Sequence, residues 1–143
     1  MILRKYLLSA IICCTLASII FSCQDARQVQ QDMYYTNGRD LYIAHCQNCH
    51  GAKGEGLAKL APPLTDTTFL RANKKKVACW IKNGVSEPMV VAGEKYEGKM
   101  PDHNFANIDI AQIIVYVTNT FGNKHGNYTQ NEVASDLADC QTP

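Results

Sequence analysis

A small all-α domain is what this sequence predicts. Two helical apolar periods carry that expectation: Val77, Trp80 and Ile81 form one stripe within 73–83, and Ile110, Ile113, Ile114 and Val117 form another within 107–121. A third observation says what the helices surround, the run Cys46-Gln47-Asn48-Cys49-His50-Gly51. A Cys-x-x-Cys-His run is the pattern of covalent haem attachment, in which each thiol adds across a vinyl group and the adjacent imidazole presents itself to the iron. With 143 residues the chain has the length of about one domain.

The spacing has a physical reason. Two vinyl groups on one porphyrin edge need two sulfurs about one helical turn apart, and a His directly after the second Cys is then carried under the macrocycle. Two other readings compete. In a thioredoxin-type site the cysteine pair opens a helix, whose positive end lowers the thiol pKa; here the pair closes a helical stretch, 36–46. A zinc site needs four ligands, and no second Cys-x-x-Cys or His-x3-His follows. Haem is the reading that uses all three residues.

The N-terminus is set apart from the domain. Arg4 and Lys5 precede an almost unbroken apolar run, 6–21, which ends at Ile20-Phe21-Ser22-Cys23. This resembles a bacterial lipoprotein signal, residues 1–22, and the resemblance implies cleavage before Cys23 and a diacylglycerol on its sulfur. A transmembrane anchor is the alternative, for which the run is short. Cys13 and Cys14 lie inside the run and would leave with it. Cleavage removes two cations and no acid, so the mature chain is near neutral, and nothing in it points to nucleic acid. The expected location is outside the cytoplasm, membrane-anchored, facing the periplasm or the cell surface. Gln24 rather than Asp after Cys23 favours, by resemblance to enterobacterial sorting, the outer membrane.

Residues 24–35 are polar and Gln-rich, and read as a tether (23–35 with the lipidated Cys23) between lipid and domain. A first helix is expected from Thr36 or Asn37 to Cys46, with Gly38, Tyr42 and Cys46 on one face. A Gly four residues before an aromatic suggests close approach of another backbone, against the plainer reading of a weakened helix. The glycine-rich 51–56 reads as a loop; it lacks the Gly-Lys-Ser/Thr ending of a phosphate loop. Ala61-Pro62-Pro63-Leu64 is an extended segment whose free carbonyls suit it to hold the Nδ1 proton of His50. A turn or short helix over 65–71 leads to a helix over 73–83 stopped by Gly84. Lys74, Lys75 and Lys76 read as a solvated first turn, or alternatively as a docking patch for a redox partner.

Met89-Val90-Val91 and Lys95-Tyr96 suggest a small hairpin. In Gly98-Lys99-Met100-Pro101 the following proline holds Met100 in a loop, where its sulfur can reach a metal. Met89 also stands beside a proline, and His45 and His103 are rival ligands, His103 the more credible. The helix over 107–121 is followed by Gly122, and Thr129-x-x-Glu132 opens a short tail helix ending near Cys140. Once the haem takes two cysteines and lipid takes Cys23, Cys79 and Cys140 remain. They read as a disulfide stapling the tail to the Trp80 helix, or as a buried and an exposed thiol.

Together these residues resemble class I, mono-haem cytochrome c, over 36–122: Gly38 and Tyr42, Cys46-x-x-Cys49-His50, Pro62-Pro63-Leu64, Met100-Pro101, and Ile113 with Tyr116. The resemblance implies first and last helices that cross around one covalent haem c. It implies thioethers at Cys46 and Cys49, His50 and Met100 as axial ligands, and a Pro62 carbonyl orienting His50. The hairpin and the extension 123–143 depart from the minimal pattern, and resemble additions in lipoprotein cytochromes of Bacteroidetes-like bacteria. The expected function is electron transfer in a bacterial respiratory chain, between donor and acceptor proteins and without an enzymatic reaction or a small-molecule substrate. The alternatives are a haem subunit of a membrane oxidoreductase, a sensor or peroxidase-like protein with a labile sixth ligand, and a non-haem Cys-x-x-Cys lipoprotein.

Overall fold

The computed structural model describes residues 4–7, 11–15 and 26–140. Two compact units divide the chain, residues 1–30 and 31–143. Of the first, residues 4–7, 11–15 and 26–30 are helical, and Cys23, the expected lipidation site, lies with Ile20, Phe21 and Ser22 outside the described residues. Among the described residues no helix is long and apolar enough to cross a membrane.

Helix α1 spans Ala26–His45, which differs from the expected irregular tether before Thr36. The reason lies in composition: Ala26, Gln28, Gln30, Gln31 and Met33 are good helix formers, and neither Gly nor Pro interrupts them. Thr36 does not cap a helix start; its hydroxyl donates to the carbonyl of Asp32, one turn back. After the short α2 (Gln47–His50) a long loop leads to α3 (Thr67–Ala72), capped by the Asp66 carboxylate, which accepts from Phe69 N at 2.9 Å. Then come α4 (Lys74–Asn83), the hairpin strands β1 (Met89–Val91) and β2 (Glu94–Tyr96), α5 (Asn107–Val117) and α6 (Gln130–Ala138). The strands are antiparallel with Met89 opposite Tyr96, and Ala92 and Gly93, both at positive φ, make the two-residue turn.

Helix α5 is the centre of the core. Ile110, Ala111, Ile113, Ile114 and Val115 are almost completely buried, with Tyr42 of α1, Ala78 of α4 and Val133 of α6 packed around them. The segment α1 meets α5 at Gly38: a Cβ there would lie 1.9 Å from the backbone oxygen of Gln112, so only hydrogen fits. Tyr35 and Tyr42 both lean on Tyr116, with ring centroids 5.2 and 5.3 Å apart.

α5 stops at Val117, four residues short of the expected Phe121. Side chains compete for its last carbonyls: the hydroxyls of Thr118 and Thr120 donate to Ile114 O and Tyr116 O at 2.6 Å, and Asn119 Nδ2 donates to Val115 O at 2.8 Å. The chain then turns through Phe121 and Gly122, both at positive φ, and reaches Thr129, whose hydroxyl accepts from Glu132 N while Glu132 accepts from Thr129 N.

The tail folds into the same core. Cys79 and Cys140 form a disulfide between α4 and the end of α6, and the hydroxyl of buried Tyr128 donates to the Asp136 carboxylate. A cross-link spanning 61 residues removes denatured-chain freedom corresponding to about 4 kcal/mol at most. The double substitution Cys79→Ser, Cys140→Ser is therefore expected to lower unfolding stability by about 2–4 kcal/mol. Denaturant titration should show this as an earlier midpoint, with α6 still docked by Val133.

Candidate haem site

The cysteines are positioned by the end of α1. The amide of Cys46 donates to Tyr42 O at 2.8 Å, and the amides of Cys49 and His50 both donate to Cys46 O, at 3.1 and 2.9 Å. The two sulfurs thus stand one turn apart, Cys46 half-buried and Cys49 exposed, neither engaged in a disulfide. Tyr42, almost fully buried, donates its hydroxyl to Gly51 O at 2.6 Å and so ties the following loop to α1.

That loop returns under the histidine. Gly56 N donates to His50 O at 2.9 Å and Leu64 N to Gly54 O at 2.8 Å, which bring the proline run beside the imidazole. His50 Nδ1 lies 3.0 Å from Pro62 O. A carbonyl only accepts, so Nδ1 carries the proton and Nε2 keeps its lone pair free. Burial pushes the His50 pKa down, against the opposing effect of the Pro62 hydrogen bond. The ring is held neutral, the form that donates to a metal.

The facing wall carries Met100. Its amide and carbonyl pair with those of Val85, both at 2.9 Å, in an isolated antiparallel bridge that fixes the residue between α4 and α5. Two residues earlier, a Cβ on Gly98 would sit 1.7 Å from Leu60 O. Only glycine lets the strand after the hairpin lie against the loop that precedes the prolines. Leu57 and Leu60, exposed on that loop, thereby join Met89, Val91 and Tyr96 of the hairpin around one opening.

Between the walls lies a cavity of about 370 Å³, a size typical of cofactor sites. Cys46, Cys49, His50, Pro62 and Met100 all line it, and most of the remaining lining is apolar, including Leu64, Leu70, Val77, Ile81 and Ile113. An apolar cleft with two thiols on one edge, a neutral imidazole with a free Nε2 and a thioether fits a haem. The residues do not fit the competing readings. Burial, and then the neighbouring Cys49, push the Cys46 thiol up to about 11, whereas a dithiol redox enzyme needs a lowered value. Among the described residues no group of three or more His, Cys, Asp or Glu side chains is arranged to hold a zinc ion.

The rival ligands are also at the cavity. His45 and His103 line it with rings 6.0 Å apart, and His103 stacks on Phe105 at 4.9 Å. Met89 enters from the hairpin. Cys79 and Cys140 lie away from it, joined to each other. Sequence reasoning left out Leu57, Leu60, Phe69 and Tyr96, which line the cavity from loops, short helix and hairpin. No periodicity marks these residues; the only signal was that they are apolar in otherwise polar connections.

Residues 35–121 match the family model described as cytochrome c, well over half of the chain and every cavity-lining residue named above. The chain belongs to the cytochrome c family. As a cytochrome c it binds haem c covalently and functions in electron transfer with redox partners, iron being the redox metal. A comparison with curated proteins gives no match. The mostly helical architecture agrees with an all-α cytochrome fold.

Proposed function

We propose that this cytochrome c is a one-haem electron carrier without a reaction of its own, tethered through Cys23 as an exported lipoprotein and serving a respiratory chain. In this reading Cys46 and Cys49 are the thioether positions, His50 and Met100 the axial ligands, and Pro62 the residue that orients His50. The observation that carries it is the hydrogen bond from His50 Nδ1 to Pro62 O, in a cavity whose opposite wall holds Met100 by its own backbone pair with Val85.

When bound, the haem supplies a one-electron iron couple. The chain's residues do the rest. Pro62 fixes the tautomer and angle of His50, and its acceptor makes the imidazole a stronger donor. Val85 and Pro101 hold Met100 within a short backbone range, so its sulfur is presented without a reorganising loop. A thioether opposite imidazole favours the reduced metal relative to two imidazoles. The apolar lining excludes water and limits the polar rearrangement that accompanies a change of charge. Were His50 and Met100 both to hold the iron, the residues would leave no position for oxygen or peroxide, which is what would separate a carrier from a sensor or peroxidase-like protein.

The test is Met100→Ala in protein matured by a haem-attaching host. The ferric sulfur-to-iron band at the red end of the spectrum should disappear, and the reduction potential should fall by on the order of 0.1 V. The wild-type ferrous protein should not bind carbon monoxide near neutral pH. Loss of the red band on His103→Ala and not on Met100→Ala would transfer the ligand role to His103, and carbon monoxide binding by the unaltered protein would favour the sensor reading.

A further inference from the structure

We propose that Asn123, two residues beyond the end of the family match, is a positioning residue of the haem site: its side-chain amide holds the Leu64 carbonyl and, through two rigid prolines, the Pro62 carbonyl that orients His50. The inference rests on the proposed role of Pro62, and adds a residue of the extension 123–143 to the same chain of contacts.

The prolines cannot hold themselves. Neither Pro62 nor Pro63 has an N–H, so this segment has to be anchored at its flanks. On one side Ala61 pairs with Leu57, its N donating to Leu57 O at 3.2 Å and its O accepting from Leu57 N at 3.0 Å. On the other stands Leu64, whose N donates to Gly54 O at 2.8 Å and whose O accepts from Asn123 Nδ2 at 2.9 Å. Between these anchors the rings fix φ at both prolines, and each proline confines the backbone of the residue before it. A displacement of Leu64 is therefore passed on to Pro62 O, 3.0 Å from His50 Nδ1, and not absorbed on the way.

Asn123 is committed to this contact. It is 2% exposed, and its Nδ2 also donates at 3.1 Å to the carbonyl of Val117, the last residue of α5. Both neighbours are carbonyls, which only accept, so the nitrogen must face them; the buried Oδ1 accepts from none of the described residues. One amide thus joins the central helix of the core to the loop under the imidazole. The turn that delivers it is strained. Phe121 lies at φ 56°, in the left-handed region that a bulky side chain rarely adopts. Contacts hold it there. Its ring packs against Tyr42 and Tyr116, with centroids 5.4 and 5.8 Å away, and against Gly54, whose carbonyl receives Leu64 N. The backbone N–H of Asn123 donates to Thr120 O at 2.9 Å and that of His125 to Thr118 O at 3.0 Å, which closes the turn around the side chain.

The test is Asn123→Ala in the mature haem protein, followed by nuclear magnetic resonance and by redox titration. Exchange of the His50 Nδ1 proton in the ferrous protein should quicken about tenfold, the scale set by loss of one hydrogen bond. The reduction potential should rise, because a less firmly held imidazole is a poorer donor to ferric iron. The variant Cys79→Ser, Cys140→Ser, also destabilised but away from the cavity, should keep both wild-type values. Equal changes in that variant would show general loosening and overturn the proposal, as would an unchanged proton exchange or an unchanged potential in Asn123→Ala. Should Asn123→Ala fail to fold, the wild type still decides. Its Asn123 Nδ2 protons should exchange at least about tenfold more slowly than those of exposed Asn48, and equal rates would overturn the clamp. The wild type also separates the two levels. A His50 Nδ1 proton that exchanges as freely as in an unbonded imidazole removes the role of Pro62 and this inference with it; one protected equally in wild type and Asn123→Ala removes Asn123 alone.

Discussion

The double substitution Cys46→Ser, Cys49→Ser is expected to abolish covalent attachment, so that acidified acetone strips all pigment from the protein and leaves it colourless. The unaltered protein should keep its pigment under the same treatment, and either single substitution should keep it through the remaining sulfur. Among the described residues the domain offers no second pair of thiols at the cavity: Cys79 and Cys140 are committed to each other, and Cys13 and Cys14 lie in the other compact unit. The effect on folding should be as large as that on colour. An apolar cavity of about 370 Å³ left without its occupant carries a cost of several kcal/mol, a large part of the total stability of an ordinary domain. A noncovalent ligand stabilises only in proportion to its free concentration over its dissociation constant, so dilution removes what a thioether would retain. Far-ultraviolet circular dichroism of the stripped double variant should therefore show a marked loss of helix. Pigment that stays attached as firmly in the double variant as in the wild type would remove the basis of the site assignment.

What could be read in advance was whatever local spacing encodes. One turn between Cys46 and Cys49, a His directly after, and a proline that stiffens Met100 are short-range facts, and they identify atoms able to bind. Convergence is a different matter. That Leu57, Leu60, Phe69 and Tyr96 reach the same cavity depends on a backbone contact between Gly98 and Leu60, residues far apart in the chain. The pattern of apolar residues carries no trace of it. Helix ends differ from the sequence expectation for a related reason. The stop signal at Gly122 is real, but Thr118, Asn119 and Thr120 capture the carbonyls of α5 first. At the other end, polarity without an apolar period reads as a tether, yet polar residues such as Gln are good helix formers and α1 reaches back to Ala26. Periodicity finds the helices that have a buried face and says little about those that do not.

Gly38→Ala provides the sharpest test of how the helix leading to Cys46 is held, because two readings of this glycine predict opposite signs. If Gly38 only weakens α1, alanine should stabilise the protein by about 1 kcal/mol through helix propensity. The contact says otherwise. A Cβ at this position would lie 1.9 Å from the oxygen and 2.5 Å from the carbonyl carbon of Gln112, and 3.0 Å from the Cβ of Tyr116. The first two are backbone atoms in the middle of α5, which is buried on every side by α1, α4 and α6, so no side-chain rotation relieves the overlap. α1 must move away from α5, and with it the Tyr35 and Tyr42 rings that rest on Tyr116. Overpacking of this kind costs about 3 kcal/mol or more, which exceeds the propensity gain. The expected result is a fall in melting temperature of roughly 10–20 °C, measured by calorimetry on the haem-loaded protein. The displacement should also be felt at the site. Tyr42 donates to Gly51 O and accepts Cys46 N at its own carbonyl, so a shifted α1 moves the loop that carries Pro62 toward His50. A weakened Pro62 hold on the imidazole leaves a poorer donor, and the reduction potential should rise along with the loss of stability. A variant that melts higher than the wild type would show that the helices are not locked at Gly38.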